Sequence, residues 1–221
     1  MKSANGINLS EPVYEHLIEM ILSLKLKPGE KVPEAKIAKQ FGISRTPIRE
    51  ALRKLSNDGL IRIYPNRYAE VVTFDDEYIR QVGELRIAID RIVIKLVIHY
   101  GSNADFMRLT QFADQCSKAA QEGNLTERIK ADIEFHMELA QISRNQLIEK
   151  VQKELSLQIE FILACKYINV DDAFMKSKAH YEIIDALIAR DEERAVKIAV
   201  DHLVEFYSFN DTYPAEFFLK V

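Results

Sequence analysis

Cysteine is scarce in this chain: only Cys116 and Cys165 occur in 221 residues, and neither belongs to a CxxC pair. That excludes a disulfide framework and a cysteine zinc site, and both thiols read as buried fillers of helices. Long apolar runs are also missing. No stretch approaches the roughly 18 residues of a membrane span, and Met1-Lys2-Ser3-Ala4-Asn5 lacks the apolar centre of a signal peptide. A globular protein in the cytoplasm, without a membrane partner, is therefore expected. There is no repeat of fixed period and no low-complexity tract.

What the chain has is a core and an uneven charge. Its composition is 48% hydrophobic and 29% charged, enough to build one or two domains. Residues 1–72 hold 12 Lys/Arg and 8 Asp/Glu, a net +4, whereas residues 73–221 hold 18 and 26, a net −8. An acidic total of −4 thus hides a basic segment, the pattern of a nucleic-acid-binding module joined to something else.

The basic segment centres on Ser44-Arg45-Thr46-Pro47-Ile48-Arg49-Glu50-Ala51-Leu52-Arg53. Ser44 or Thr46 suits a helix cap and Pro47 suits a first turn. Ile48, Ala51, Leu52 and Leu55 recur at helical spacing as one buried stripe. Arg45, Arg49 and Arg53 recur every fourth residue on a neighbouring face, where three guanidiniums repel one another unless an anionic partner such as a nucleic-acid backbone is near. A solvated charged face is the alternative for such a helix taken alone.

Its surroundings favour the first reading. A helix is predicted from about Glu11 to Leu26, a short one from Glu34 to Phe41, and Gly42 then makes the tight turn into the arginine helix. Two helices joined by a turn of about three residues, the second bearing the cations, form a helix-turn-helix. Leu60–Tyr64 and Ala69–Thr73 read as two strands around Pro65-Asn66-Arg67-Tyr68, a wing with a cationic tip. From Asp75 onward the pattern is helical only, with segments 76–100, 103–122, 126–141, 145–168, 172–190 and 192–209. The expected fold is mainly α: a winged helix-turn-helix over residues 1–73, then an all-α six-helix bundle over 74–221. The aromatic end Phe206, Tyr207, Phe209, Tyr213, Phe217 and Phe218 is more than a monomer readily buries, which suggests a partner subunit.

Within the bundle Asp132 and His136 stand four apart, so one helix face presents both. His180 and His202 sit in two later helices. One carboxylate and three imidazoles suit a divalent transition metal, and helical bundles build such sites from facing helices. The same set would also serve a helical metal-dependent hydrolase, although no HD dipeptide, HExxH motif or obvious general base accompanies it.

Two sets of motifs carry a resemblance. Lys27-Pro28-Gly29-Glu30-Lys31, Glu34-Ala35-Lys36-Ile37-Ala38, Phe41 through Leu52 and Asp58-Gly59-Leu60-Ile61 resemble the winged-helix domain of GntR-family transcription regulators. Asp132-Ile133-Glu134-Phe135-His136-Met137-Glu138-Leu139, with Ser143 and Asn145, and His180 through Leu187, with His202-Leu203, resemble the FCD ligand-binding domain of the FadR subfamily. Six helices and a short linker fit its VanR-like branch. The resemblance implies that Arg45 and Arg49 contact bases or grooves, with Thr46 and Lys36 at phosphates or groove edges; Ser44 and Arg53 join them as DNA-binding candidates, and the wing can place Arg67 against the phosphates or in the minor groove. Tyr68 stands where the family usually has glycine. Asp132, His136, His180 and His202 are implied as ligands of a divalent metal, zinc first, with nickel, manganese or iron also allowed. Arg86 and Asn145 are implied at a small organic acid effector, although Arg86 could equally pair with Asp90 or Glu84. The implied protein is a homodimer on a near-palindromic double-stranded DNA operator. An architectural DNA binder with a degenerate pocket is a further alternative.

Overall fold

The computed structural model describes residues 9–167, 173–214 and 216–219, with side chains from 178 onward in the second segment. Most of the expected arm at 1–10, and the helix break at Asn169-Val170-Asp171, lie outside the described residues. The chain forms two compact units, 1–73 and 74–221.

In the first unit α1 (Ser10–Leu22), α2 (Glu34–Phe41) and α3 (Arg45–Asn57) precede β1 (Ile61–Tyr64) and β2 (Tyr68–Val71). Val13, Leu17 and Ile21 of α1 meet Ile48, Ala51, Leu52 and Leu55 of α3 in a closed core. Each of the Val, Leu and Ile side chains contributes roughly 1.5–3 kcal/mol by leaving water. Outside this core Lys54 pairs with Glu11 at 2.8 Å and sits 3.7 Å from the Tyr14 ring centroid, while the Tyr14 hydroxyl donates to Asp58 at 2.8 Å. Gly42 takes a φ of 63°, the left-handed turn that its place after α2 requires.

Three details differ from the sequence reading. α1 stops at Leu22, short of Leu26, because Leu24 adopts a φ of 55° and the Leu26 N–H reaches back to the Met20 carbonyl at 2.9 Å. Strand β2 begins at Tyr68, one residue earlier than expected, since Tyr64 and Tyr68 close the hairpin as a cross-strand pair. The segment after α1, to which the sequence reading assigned no structure, is sewn to the outer edge of β2: Gly29 N–H to Val71 O, Val71 N–H to Glu30 O and Val32 N–H to Ala69 O, all at 2.8–2.9 Å.

The second unit contains α4 (Asp76–Tyr100), α5 (Asn103–Gln121), α6 (Leu125–Ile142), α7 (Gln146–Tyr167), α8 (Ala173–Ile188) and α9 (Glu192–Tyr207), then a 3₁₀ turn at Phe209–Asp211. Polar caps fix where these helices start: Asp75 for α4, a reciprocal Ser102/Asp105 box for α5, Asn124 for α6 and Asp191 for α9. α4 packs on α6, α7 and α9, while α8 packs on α5 and α9. Phe106, Phe135 and Phe161 are fully buried between them. No helix among the described residues is long and apolar enough to cross a membrane. Cys116 is buried as expected but Cys165 is exposed, its position on α7 facing away from the core. Of the aromatic end, Phe206, Tyr207 and Phe209 are buried against the unit's own helices and Phe217 is exposed.

Candidate nucleic-acid interface and metal centre

α3 starts at Ser44, whose backbone is extended at the cap position and whose side chain makes no capping bond. Its first turn holds no acidic residue, so the partial positive charge of the helix N-terminus is uncompensated. Ser44, Arg45, Thr46, Arg49 and Arg53 are all exposed, as are Lys36 on α2 and Arg67 in the turn of the wing. Among the described residues none of these five cations has an ion pair or side-chain hydrogen bond, in contrast to Lys54 on the same helix. Four of the five thus flank one another on two consecutive helices with their charge unspent. In the wing Tyr68 packs on Tyr64 with ring centroids 4.7 Å apart, beneath the Lys31 ammonium at 4.1 Å, and the Tyr64 hydroxyl donates to Glu70 at 2.7 Å. Tyr68 therefore stiffens the hairpin behind Arg67.

The second unit gathers Asp132 and His136 from α6, His180 from α8 and His202 from α9, with ligand atoms all within 4.8 Å of one another. All four are buried, His202 the most open at 9% exposure. Asp132 Oδ1 lies 3.3 Å from His180 Nε2 and 4.0 Å from His202 Nε2, and Asp132 Oδ2 lies 3.3 Å from Arg86 Nη2. On the far side of His136, Asp90 Oδ2 comes within 2.7 Å of Nδ1, and Gln152 Nε2 donates to Asp90 Oδ1 at 2.7 Å.

Electrostatics suit cation binding. Burial opposes the Asp132 charge, yet His180, His136 and Arg86 around it hold its carboxyl well below the usual carboxylate range. Burial pushes His202 well below the usual imidazole value, with His180 adding to the effect, and it also lowers His180 against the pull of Asp132. An ionised carboxylate at Asp132 and neutral imidazoles at His180 and His202 are metal-ligand states. The short approaches of Asp132 to His180 and of Asp90 to His136 fall off the ring N–H axes, and His136 Nε2 and His180 Nδ1 have no hydrogen-bond partner. Four donors that converge while leaving buried ring nitrogens unsatisfied fit a divalent transition metal, a buried polar atom being costly unless paired.

Family models match both units of the chain. Residues 9–71 match "Bacterial regulatory proteins, gntR family" and residues 81–205 match the FCD domain. The chain belongs to the GntR family, in its FCD-bearing branch. Among curated proteins of the family it is 27% identical to the Bacillus subtilis regulator YdhC, covering 86% of this chain and 85% of that one. It is 26% identical to the Escherichia coli transcriptional repressor RspR, covering 89% and 86%. The solved structure of Escherichia coli McbR/YncC shares the fold, with a TM-score of 0.76 at 19% identity over 95% of this chain and 97% of that one. As a GntR/FCD protein the chain is a DNA-binding transcription regulator rather than an enzyme, which sets the hydrolase alternative aside.

The structure brings Arg86 to the cluster, with its charge directed at Asp132 rather than at Asp90 or Glu84, the latter bonding Arg80 and Tyr213. It does not bring Asn145 there. Asn145 Oδ1 accepts the N–H groups of Leu147 and Ile148, each at 3.2 Å, so its side chain caps α7. Sequence reasoning missed Asp90 as the partner of His136, and it missed Gln152 and Arg128. Arg128 had one available signal: it stands four residues before Asp132, hence on the same buried face of α6.

Proposed function

We propose that this GntR/FCD regulator binds a near-palindromic DNA operator as a cytoplasmic homodimer through residues 1–73. Residues 74–221 tune that binding by holding a divalent metal and a small organic acid. The observation that carries the metal reading is the convergence of Asp132, His136, His180 and His202 in one buried cluster. Zinc fits this donor set first, and nickel, manganese and iron fit its ligand types as well.

On the DNA side, Arg45 and Arg49 project from the start of the recognition helix toward base edges, a geometry in which a guanidinium holds guanine through two hydrogen bonds. Ser44, Thr46, Lys36, Arg53 and Arg67 take phosphates and groove edges, fixing register without reading sequence. A two-fold dimer presents two such helices to two half-sites.

On the effector side, a bound divalent ion supplies positive charge and open coordination positions for a carboxylate. Asp132, His136, His180 and His202 would hold it, and Asp90 and Gln152 would orient His136 through its other nitrogen. Arg86 would complete the anion's environment from α4. Because α4, α6, α8 and α9 all contribute, an acid that prefers one packing of these helices shifts the population toward it and changes the presentation of the DNA-binding domains. The test is fluorescence anisotropy on DNA upstream of the protein's own gene, with metal, with chelator and with a panel of carboxylic acids. Indifference of operator affinity to metal and to every acid would sink the effector reading and leave an architectural binder.

A further inference from the structure

One face of the wing carries a charge that the fold leaves unpaired. Tyr64 lies opposite Tyr68 across β1 and β2, while Lys31 bridges to Glu70 from the other edge of β2. Residues 68 and 70 point to the same side of the sheet, so Lys31, Glu70, Tyr68 and Tyr64 share that face. Glu70 is the carboxylate nearest Lys31 along the ladder, yet it accepts the Tyr64 hydroxyl at 2.7 Å. Among the described residues the exposed Lys31 makes no ion pair, and its ammonium lies 4.1 Å from the centroid of the Tyr68 ring.

Lys31 thus leans past the neighbouring carboxylate toward the tip of the hairpin. Tyr64 and Lys31 reach Tyr68 from opposite edges of β2 and form layers with it, 4.7 Å between the ring centroids and 4.1 Å from ring to ammonium. Such a stack is wider than the roughly 6 Å minor groove of B-form DNA. Beyond it stand only Pro65, Asn66 and Arg67, in a tight turn closed by the Arg67 N–H on the Tyr64 carbonyl at 3.1 Å, with Asn66 at a φ of 57°. A turn that short stops the stack at the rim of the groove, where the phosphates are. Two exposed cations meet there, Arg67 next to Tyr68 in the chain and Lys31 over its ring, and the duplex backbone is the anion that suits both.

We propose that the wing is a phosphate clamp: Lys31 and Arg67 grip the DNA backbone, Tyr68 is the positioning residue that holds Lys31 there, and the hairpin stays out of the minor groove. This rests on the DNA-face reading above and adds to it Lys31, a contact outside both the helix-turn-helix and the hairpin. The clamp fixes register without reading sequence, which leaves base readout to α3.

The test measures anisotropy of the full-length protein across a salt series, on DNA upstream of its own gene and on a random-sequence duplex. Lys31→Met keeps the apolar stem over Tyr68 and removes the charge. It should weaken binding equally on both duplexes and reduce the slope of log affinity against log salt by about 1. Tyr68→Phe should bind as wild type does. Tyr68→Leu, which keeps apolar bulk without a ring face, should repeat the Lys31→Met loss, and the double variant should lose little more than either single one. An unchanged salt slope in Lys31→Met, even with a lowered unfolding temperature, would make the cation–ring contact purely structural and overturn the clamp. Fully additive losses would remove Tyr68 from it. Diaminopurine in place of adenine adds an amino group to the minor groove and leaves the major-groove edge unchanged, so wild-type affinity should not fall on such DNA. A fall that disappears in Arg67→Ala would put the wing in the groove and refute the proposal. Arg49→Ala serves as the control: if it binds upstream DNA as wild type does, the recognition-helix reading fails separately, and the Lys31→Met slope still decides the clamp.

Discussion

Asp90 Oδ2 stands 2.7 Å from His136 Nδ1, and the side-chain amide of Gln152 holds the other oxygen of the same carboxylate. The pair misses hydrogen-bond geometry as it stands, but a small rotation of the ring would let Nδ1–H donate to Asp90 and so orient Nε2 toward the cluster, and removal of such a partner typically costs 10–100-fold in metal affinity. Asp90→Asn should therefore weaken zinc binding by that factor in a competition titration with a chromophoric chelator, while the circular dichroism of the fold is retained. Unchanged affinity would mean that Asp90 does not orient His136 for the metal.

The exposed cations of the DNA face separate into two kinds of effect. Arg49→Ala should cost about 1–3 kcal/mol and relax preference at one operator position, as loss of a base contact does. Lys36→Ala should weaken binding equally across sequences and reduce the slope of log affinity against log salt by about 1. Anisotropy across a salt series on wild-type and base-substituted operators distinguishes the two. An Arg49→Ala loss that is uniform across sequences would move Arg49 to the phosphates.

Glu160 gives a pH signature to the bundle. Burial raises its carboxyl to about 7, with Glu134 adding to the effect and Lys130 opposing it. The folded state then holds a proton that the unfolded chain, with its value near 4.5, has lost. Folded protein binds more protons in that window, so stability falls as pH rises from 4.5 to 7, and the penalty is complete above 7. Glu160→Gln should accordingly raise urea-unfolding stability by about 1–3 kcal/mol at pH 8 and by much less near pH 5. An equal gain at both pH values would assign the effect to packing instead.

The sequence was most readable where one period governs one face. Ile48, Ala51, Leu52 and Leu55 all lie buried in α3, and the six helices of the bundle start within a residue or two of where their spacing put them. The cluster was legible because Asp132 and His136 share a helical face, but bringing His180 and His202 to it required three helices to close, which no local pattern encodes. What was hidden depended on tertiary choices. Leu24 looks like the next apolar position of α1 and instead turns the chain, because Leu26 is needed in the core. Asn145 looks like a site residue and is spent on the α7 cap. Arg128 looks like an ordinary surface charge until the fold buries it, and Asp90, a candidate partner of Arg86 in the sequence, stands instead against His136.

Gly83 was equally silent, being one glycine inside a 25-residue helix, α4. A Cβ built there would lie 2.6 Å from Cγ of Tyr207 and 2.7 Å from Cζ of Phe209, nearer than real side chains approach. Both rings are nearly buried, stacked on each other with centroids 5.6 Å apart, and they close the end of α9 onto α4 beside Arg86. Alanine would gain up to about 1 kcal/mol of helix propensity. Overpacking of a tight contact typically costs about 1–3 kcal/mol, and here the obstructing atoms belong to rigid aromatic rings rather than to flexible side-chain ends, so the loss outweighs the gain. Gly83→Ala is expected to lower unfolding free energy by about 1–2 kcal/mol, in the direction opposite to the usual glycine-to-alanine change in a helix. Displacement of Tyr207 should also disturb Arg86 and hence the cluster, so zinc affinity measured on the same variant should fall. A stabilised Gly83→Ala protein would show that α9 can move away from α4 at no cost.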